Sequence, residues 1–193
     1  MYLNNTNGGS NTASLINFRT GTGDGLVGFV AGSTNECDFV VATDGGSNGI
    51  ERLRVSNAGI VTTPYQPSFR VRATAVITGI STTHLHTVEE HDIGNNYNPS
   101  TGRFTAPIAG VYYFGVQLIS NLSSTSTEQS ISIRVNGSSI NDARFQGYTT
   151  SSAHLKTVVS LAVGDYVTVN NGNSVTEIYG GSYHNQFMGY LIG

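Results

Sequence analysis

The chain has 193 residues, of which only 11% are charged, and its formal net charge is −3. A weakly acidic chain with so few basic residues does not suit a nucleic-acid groove or an anionic membrane surface, so neither partner is expected. No run of about 18 apolar residues occurs, which argues against insertion into a membrane.

Residues 1–66 consist of short β-like pieces separated by clusters of Gly, Ser and Asn. The predicted strands span residues 13–19, 25–31, 37–43, 50–56 and 60–63. A β unit of this size with few large apolar residues buries too little surface to be stable alone. Cys37 is the single cysteine, so no disulfide staples the unit, and we expect its side chain to be a small buried hydrophobe. We therefore predict a β-rich shaft or attachment segment that is stabilised by association of chains.

Pro64 and Pro67 mark an extended connector, and a second domain is predicted over residues 67–193. Apolar and polar residues alternate from Ile131 to Val135, just before an Asn-Gly pair that is typical of a two-residue hairpin turn. Another alternating run spans residues 155–161. No stretch has helical periodicity, so the fold class is predicted to be all-β.

Residues 111–120, VYYFGVQLIS, form a long strand whose two faces are both largely apolar. Such a strand belongs in the middle of a two-sheet sandwich, or between a sandwich and a neighbouring subunit. The connections differ in length: those at 107–110, 136–137 and 164–165 are short, whereas those at 121–129, 147–152 and 171–183 are long and polar. With strands that alternate in direction, we expect the short turns at one end and the long loops at the other, pointing away from residues 1–66.

Residues 97–114, YNPSTGRFTAPIAGVYYF, resemble the signature of the complement-one-q-like globular head. Two further motifs of that family follow in order, LKTVVSL with a Gly-Asp turn over 155–167, and FMGYLI at 187–192. The resemblance covers about residues 67–193, and it implies a ten-stranded jelly roll, related to tumour necrosis factor, that assembles as a homotrimer. No collagen-like Gly-X-Y repeat precedes the domain, so the complement role of the animal proteins is not expected.

Residues 51–61 resemble segments that precede a distal domain in phage tail-fibre and virion appendage proteins. Together the two resemblances predict a non-enzymatic bacteriophage appendage, a tail-fibre tip that binds a host-surface glycan or protein. Its N-terminal segment would contact other virion proteins. The start of the sequence lacks a secretion signal, which fits a virion assembled in the host cytoplasm. The alternatives are a capsid decoration or head-fibre protein, a bacterial complement-one-q-like adhesin, and a depolymerase-type enzyme; no Gly-x-Ser-x-Gly elbow supports the last of these.

The long connections contain aromatic and amide side chains that suit sugar recognition, because rings cover the apolar faces of a glycan and amides bond its hydroxyls. The candidate ligand-binding residues are Tyr148, Thr149, Asn171, Asn173, Tyr179, Tyr183 and His184. The same residues equally suit plain soluble loop tips, and the sequence leaves both interpretations open.

His84 and His86 lie two residues apart, so a strand would place both imidazoles on one face. Three chains around an axis would then offer six nitrogens, an octahedral set for a divalent transition metal, similar to His-x-His pairs that bind iron in some phage fibre needles. The alternative is a pair of surface or interface histidines without an ion. No other cofactor is expected, and the acidic run at 89–92 is predicted to be a solvated loop, with a calcium site as its alternative.

Overall fold

In the part of the chain that the computed structural model describes, all regular elements are β-strands. The structure describes residues 13–19, 23–32, 36–43, 49–79, 82–120, 128–146, 151–172, 177–181 and 183–193. Among these residues no helix is long and apolar enough to cross a bilayer. Contacts along the chain divide it into two compact units, one ending at Tyr65 and one running from Gln66 to Gly193. The prediction of an all-β fold is confirmed for the described chain.

The first unit is a single antiparallel sheet whose strands follow one another in chain order. Its strands are β1 (Ala13–Arg19), β2 (Asp24–Ala31), β3 (Cys37–Thr43), β4 (Ile50–Val55) and β5 (Val61–Thr62). The bounds agree closely with the strands predicted from short apolar runs between Gly-rich and Asn-rich turns. Local patterning therefore sets this meander, since each strand pairs with its sequence neighbour.

The two faces of this sheet differ in how far they are covered. One face carries the buried apolar side chains that the structure describes in this unit, Leu26, Val40 and Ala42. The opposite face presents large apolar side chains that are largely exposed, Ile16, Phe18 and Phe29. A sheet with an uncovered apolar face is the arrangement expected of a segment that packs against other chains.

Cys37 is exposed, so the expectation of a buried cysteine is wrong. It is the first residue of β3 and pairs with Ala31, the last residue of β2. The strand pairing ends at this residue, so paired residues flank Cys37 on one side only, and the thiol is left uncovered.

The second unit consists of two five-stranded antiparallel sheets and a two-stranded pair. In the front sheet the order is β14 (Ser152–Leu161), β11 (Gly110–Ile119), β17 (Gln186–Leu191), β6 (Ser68–Arg72) and β8 (Val88–Ile93). In the back sheet the order is β13 (Ser138–Gln146), β12 (Glu128–Val135), β15 (Tyr166–Asn171), β10 (Arg103–Thr105) and β9 (Tyr97–Asn98). The small pair joins β7 (Ile77–Thr78) to β16 (Glu177–Ile178).

The core lies between the front and back sheets and is rich in aromatic rings. On β11, an inner strand of the front sheet, alternate residues point into the core, namely Tyr112, Phe114, Val116 and Leu118, all buried. The back sheet contributes Phe104, Ile131, Ile133, Val167 and Val169, each fully buried. The predicted placement of residues 111–120 in the middle of a two-sheet sandwich is confirmed, and burial of these large side chains is the main source of stability.

Strand registers place the short and long connections at opposite ends of the sandwich. Gly110 pairs with Leu161 and Val135 with Val167, so the three short turns share one end. At the other end Ile119 pairs with Ser152, and Asn171 with Ile131, next to the long connections. Asn136 and Gly137 both have positive φ, 51° and 84°, as a two-residue hairpin turn requires.

The short-turn end is held together by Asp165. Its carboxylate accepts hydrogen bonds from Asn136 Nδ2 at 2.8 Å and from the Ala162 amide at 2.7 Å. These two hydrogen bonds hold the pKa of Asp165 below its ordinary value, and the bond from Asn136 has the larger effect. The carboxylate therefore joins two turns that lie about 30 residues apart in sequence.

We expect Asp165→Asn to lower Tm by about 2 to 4 °C at pH 7, because its amide cannot accept from both donors. The difference is present above the ordinary carboxyl pKa and disappears as pH falls through the lowered pKa of Asp165 in the folded chain. Thermal unfolding followed by circular dichroism at pH 7 and pH 2.5 measures both effects. Asp142→Asn, at an exposed residue of β13, is the matched control, and an equal loss of Tm in both variants would contradict the assignment.

Candidate ligand-binding surfaces

Three of the predicted loop residues lie together at the long-loop end. The rings of Tyr179 and His184 meet edge to face with centroids 5.3 Å apart. Tyr183 is 67% exposed, and the Arg72 guanidinium lies 5.8 Å from its ring centre. Exposed rings next to a cation form a surface that suits a sugar or a planar group. Of the other candidates, Tyr148, Thr149 and Asn173 lie outside the described residues.

Asn171 has a structural position, which corrects its prediction as an exposed loop residue. It is the last residue of β15 and is fully buried. Its Oδ1 lies 2.7 Å from His84 Nε2, and its Nδ2 donates to the Gly79 carbonyl at 2.7 Å. Both ends of the amide are therefore engaged inside the domain, and this side chain does not reach a ligand at the surface.

His84 and His86 do point the same way, while Leu85 between them is exposed. Both imidazoles, however, are fully buried inside a single chain. An ion on a trimer axis would instead require them on the outer surface of each chain. Their Nε2 atoms pair with Asn171 Oδ1 at 2.7 Å and Asn185 Oδ1 at 3.0 Å, which assigns Nε2 as the protonated nitrogen of each ring. The axial-metal hypothesis is therefore corrected, and the described residues contain no cluster of three or more metal-ligating side chains.

Burial gives this histidine pair unusual acid–base properties. It lowers the pKa of His84 to about 4, against a small opposing effect of the Asn171 hydrogen bond. Burial, together with the neighbouring His84, lowers the pKa of His86 to about 3. The Nδ1 atoms of both rings are buried and have no hydrogen-bond partner among the described residues. Both rings are thus neutral in the folded domain at physiological pH.

The acidic run predicted as a loop lies instead in the edge strand β8, which corrects that prediction. Glu90 forms ion pairs with Arg70 at 3.1 Å and Arg72 at 3.2 Å on the adjacent strand β6. Asp92 accepts hydrogen bonds from the backbone amides of Asn96 and Tyr97 and so fixes the following turn. These carboxylates have structural partners, and the calcium alternative loses its ligands.

A polar concavity that the sequence reading missed lies on the outer face of the back sheet. It has a volume of about 150 Å³ and is lined by Thr83, Thr101, Arg103, Arg134, Gly137, Tyr166, Thr168 and Asn170. The alternation of apolar and polar residues on β12 already indicated that Ser132 and Arg134 point outward. That these residues lie close to Arg103, more than 25 positions earlier in the sequence, could be known only from the order of the strands in the sheet. A second concavity of about 420 Å³ shares Arg134 and continues toward Glu128, Asp142 and Arg144.

The outer face of the front sheet is apolar at its centre. Tyr113 and Tyr190 lie on adjacent strands with ring centroids 5.1 Å apart. Val158 pairs with Tyr113 on the other side and is 59% exposed. Gly115 leaves room for the ring of Tyr113, since a Cβ at that position would lie 3.2 Å from the Tyr113 hydroxyl. The result is a flat strip of two rings and an aliphatic side chain that faces outward.

The fold of the second unit has known relatives. The globular domain of zebrafish complement 1qA superposes with a TM-score of 0.54 at 19% identity, over 66% of this chain and 98% of that one. The TNF protein Eiger from S. frugiperda gives 0.56 at 13% identity, over 66% and 94%, and murine APRIL at pH 5.0 gives 0.55 at 9%, over 66% and 99%. At these identities the likeness shows the fold.

Sequence comparison agrees with the structural one. A search of curated proteins gives no match. The C1q domain family, in contrast, matches residues 74–192. Since this match spans more than half of the 193 residues, the chain belongs to the C1q domain family.

Proposed function

We propose that this protein is a homotrimeric, non-enzymatic appendage of a bacteriophage virion that binds a receptor on the host surface, a glycan or a protein. The observation that carries the proposal is the outward apolar strip of Val158, Tyr113 and Tyr190 on a domain of the C1q family. Domains of this fold typically form trimers that bind receptors. In a monomer this apolar strip is exposed to water, whereas in a trimer the neighbouring subunits cover it.

Features of the first unit support the virion part of the proposal. Its sheet has an uncovered apolar face, as an attachment segment needs in order to pack on other chains. Residues 51–61 carry the resemblance to appendage proteins.

The second unit supports the receptor-binding part. The rings of Tyr179, Tyr183 and His184 lie at its long-loop end, where three copies would present them together. Three-fold presentation raises avidity without requiring a tight single site.

The oligomeric state is tested by Val158→Glu. Because Val158 is 59% exposed, a carboxylate there leaves the isolated protomer folded but places three charges in the proposed interface. We expect light scattering to give three times the chain mass for the natural protein and a single chain mass for the variant, with unchanged circular dichroism. Val163→Glu, at a 67% exposed residue in the turn before Asp165, is the control that stays trimeric. A natural chain that is monomeric at micromolar concentration contradicts the proposal.

Receptor binding is tested by competition. The full chain, added to host cells before the phage that encodes it, should reduce phage adsorption. The Val158→Glu monomer should need a concentration on the order of 100-fold higher for the same block, because it loses avidity. Gold-labelled antibody on intact virions then separates a tail-fibre tip from a decoration of the head. Adsorption that is unaffected by saturating full chain contradicts the receptor-binding function.

A further inference from the structure

The concavity on the outer face of the back sheet has a defined internal arrangement. Thr168 lies on the central strand β15 and pairs with Arg134 on β12. Phe104 pairs with Val167, which places Arg103 next to Thr168 on the opposite side. The two arginines therefore flank one threonine, with Cβ atoms of adjacent strands about 5 Å apart. Both side chains line the same concavity.

The floor of this concavity is polar and held in place by its own hydrogen bonds. Thr168 and Asn170 are each only 5% exposed. The Thr168 hydroxyl donates to Asn170 Oδ1 at 2.7 Å, and Asn170 Nδ2 donates to Thr83 Oγ1 at 2.8 Å. Hydroxyl and amide groups in a fixed chain are what a ligand rich in hydroxyls can pair with.

The charge of the concavity is positive and uncompensated in the described part of the chain. Arg134 donates from Nε to Ser132 Oγ at 3.1 Å, and Arg103 lies 4.1 Å over the ring of Tyr166. Neither forms an ion pair with a described carboxylate, and no Asp or Glu is among the lining residues. The neighbouring Arg144 differs, since Glu128 at 2.9 Å and Asp142 at 3.9 Å neutralise it. In a chain of net charge −3, two arginines without carboxylates in one concavity mark a place for an anion.

We propose that this concavity binds the carboxylated sugar unit of an acidic saccharide, which specifies the receptor class within the proposed function and rests on it. A guanidinium forms strong hydrogen bonds to a carboxylate, and Arg103 and Arg134, one on each side of Thr168, both donate to it. The hydroxyls of Thr83, Thr101 and Thr168 match the hydroxyls of the sugar ring. The concavity has a volume of about 150 Å³, whereas pockets for drug-sized molecules usually have about 300–1,000 Å³. Its smaller size suits a single sugar ring. The larger concavity beyond Arg134 gives room for the next unit of the chain.

The test is calorimetric titration of the full chain with D-glucuronate and D-galacturonate, with D-glucose and D-galactose as neutral counterparts and sodium sulfate as a simple anion. We expect millimolar binding of at least one uronate, weaker binding of sulfate, and no binding of the neutral sugars. Arg103→Gln and Arg134→Gln should each weaken uronate binding at least tenfold, because a hydrogen bond to a charged group is lost. Arg70→Gln, in the front sheet and paired with Glu90, should leave it unchanged. Circular dichroism verifies that each variant is folded.

The inference is overturned if neither uronate binds below about 20 mM, if sulfate binds as tightly as the uronates, or if both arginine variants bind as well as the natural chain. Failure of this inference is separable from failure of the proposed function. If a folded Arg103→Gln, Arg134→Gln double variant still blocks phage adsorption like the natural chain, receptor binding stands and this site is not its basis. If the natural chain itself fails to block adsorption, the proposed function falls whatever the uronates do.

Discussion

Phe69→Ala should lower the free energy of unfolding of the second unit by about 3 to 5 kcal/mol. Phe69 is 1% exposed and is the ring on which the two sheets meet. Its centroid lies 4.8 Å from that of Phe104 in the back sheet and 4.9 Å from that of Phe187 in the front sheet. It also stacks on Tyr97 at 5.5 Å. Removing it leaves a cavity that its aromatic neighbours, each fixed by further ring contacts, cannot collapse to fill.

Urea unfolding followed by far-ultraviolet circular dichroism at one fixed chain concentration measures this loss. A fixed concentration is needed because association contributes to apparent stability. Phe69→Leu keeps much of the buried volume and should lose clearly less than the alanine variant. Tyr183→Ala removes an exposed ring of similar size and should change the midpoint little. A loss below about 1 kcal/mol for Phe69→Ala would show that the ring cluster is not the centre of the core.

Strand bounds, tight turns and the two faces of a strand depend on local sequence, and these features were predicted correctly for β1, β3, β11 and the turn at 136–137. Strands β1 and β3 agree with the expected bounds because Gly-rich and Asn-rich turns delimit them. The turn at Asn136 and Gly137 has the positive φ angles that this pair of residues favours. The two faces of β11 followed from alternation alone, because successive side chains of a strand point to opposite faces of its sheet.

The errors concern residues whose role depends on distant partners. Asn171 was predicted as a loop residue because it is polar and follows a strand, but its partner His84 lies 87 positions earlier. The acidic run at 89–92 was predicted to be a loop, but it pairs with β6, which brings Arg70 and Arg72 beside the exposed Glu90. Arg103 and Arg134 were not recognised as a pair for the same reason. Pairing over such sequence separations is set by the sheet topology, which alternation along one strand cannot reveal.

Acidification from pH 7 to pH 4 should destabilise the second unit, through the buried histidine pair. An unfolded histidine binds its proton near pH 6.5, while His84 in the folded domain resists protonation down to about pH 4. Between these values the unfolded chain binds more protons, so the free energy of unfolding falls as pH falls. At about 1.36 kcal/mol per pKa unit, His84 alone accounts for about 3 kcal/mol, and His86 adds to this in the same direction. Of the groups that contact the pair, Asn171 and Asn185 are neutral amides, and burial raises the pKa of Tyr97, so none of them offsets an imidazolium charge.

Urea midpoints measured at half-unit steps of pH give the slope of stability against pH. His84→Gln keeps a donor for the Asn171 oxygen but removes one titrating group, so the slope between pH 6 and pH 4.5 should fall by roughly the amount due to one proton, about 1.4 kcal/mol per pH unit. His91→Gln, at an exposed residue of β8, should leave the slope unchanged. A His84→Gln variant that is merely less stable, with the slope of the natural chain, would show that acid acts through other groups. A flat profile from pH 7 to pH 4.5 would mean that the folded domain protonates both imidazoles as readily as the unfolded chain does, which their complete burial argues against.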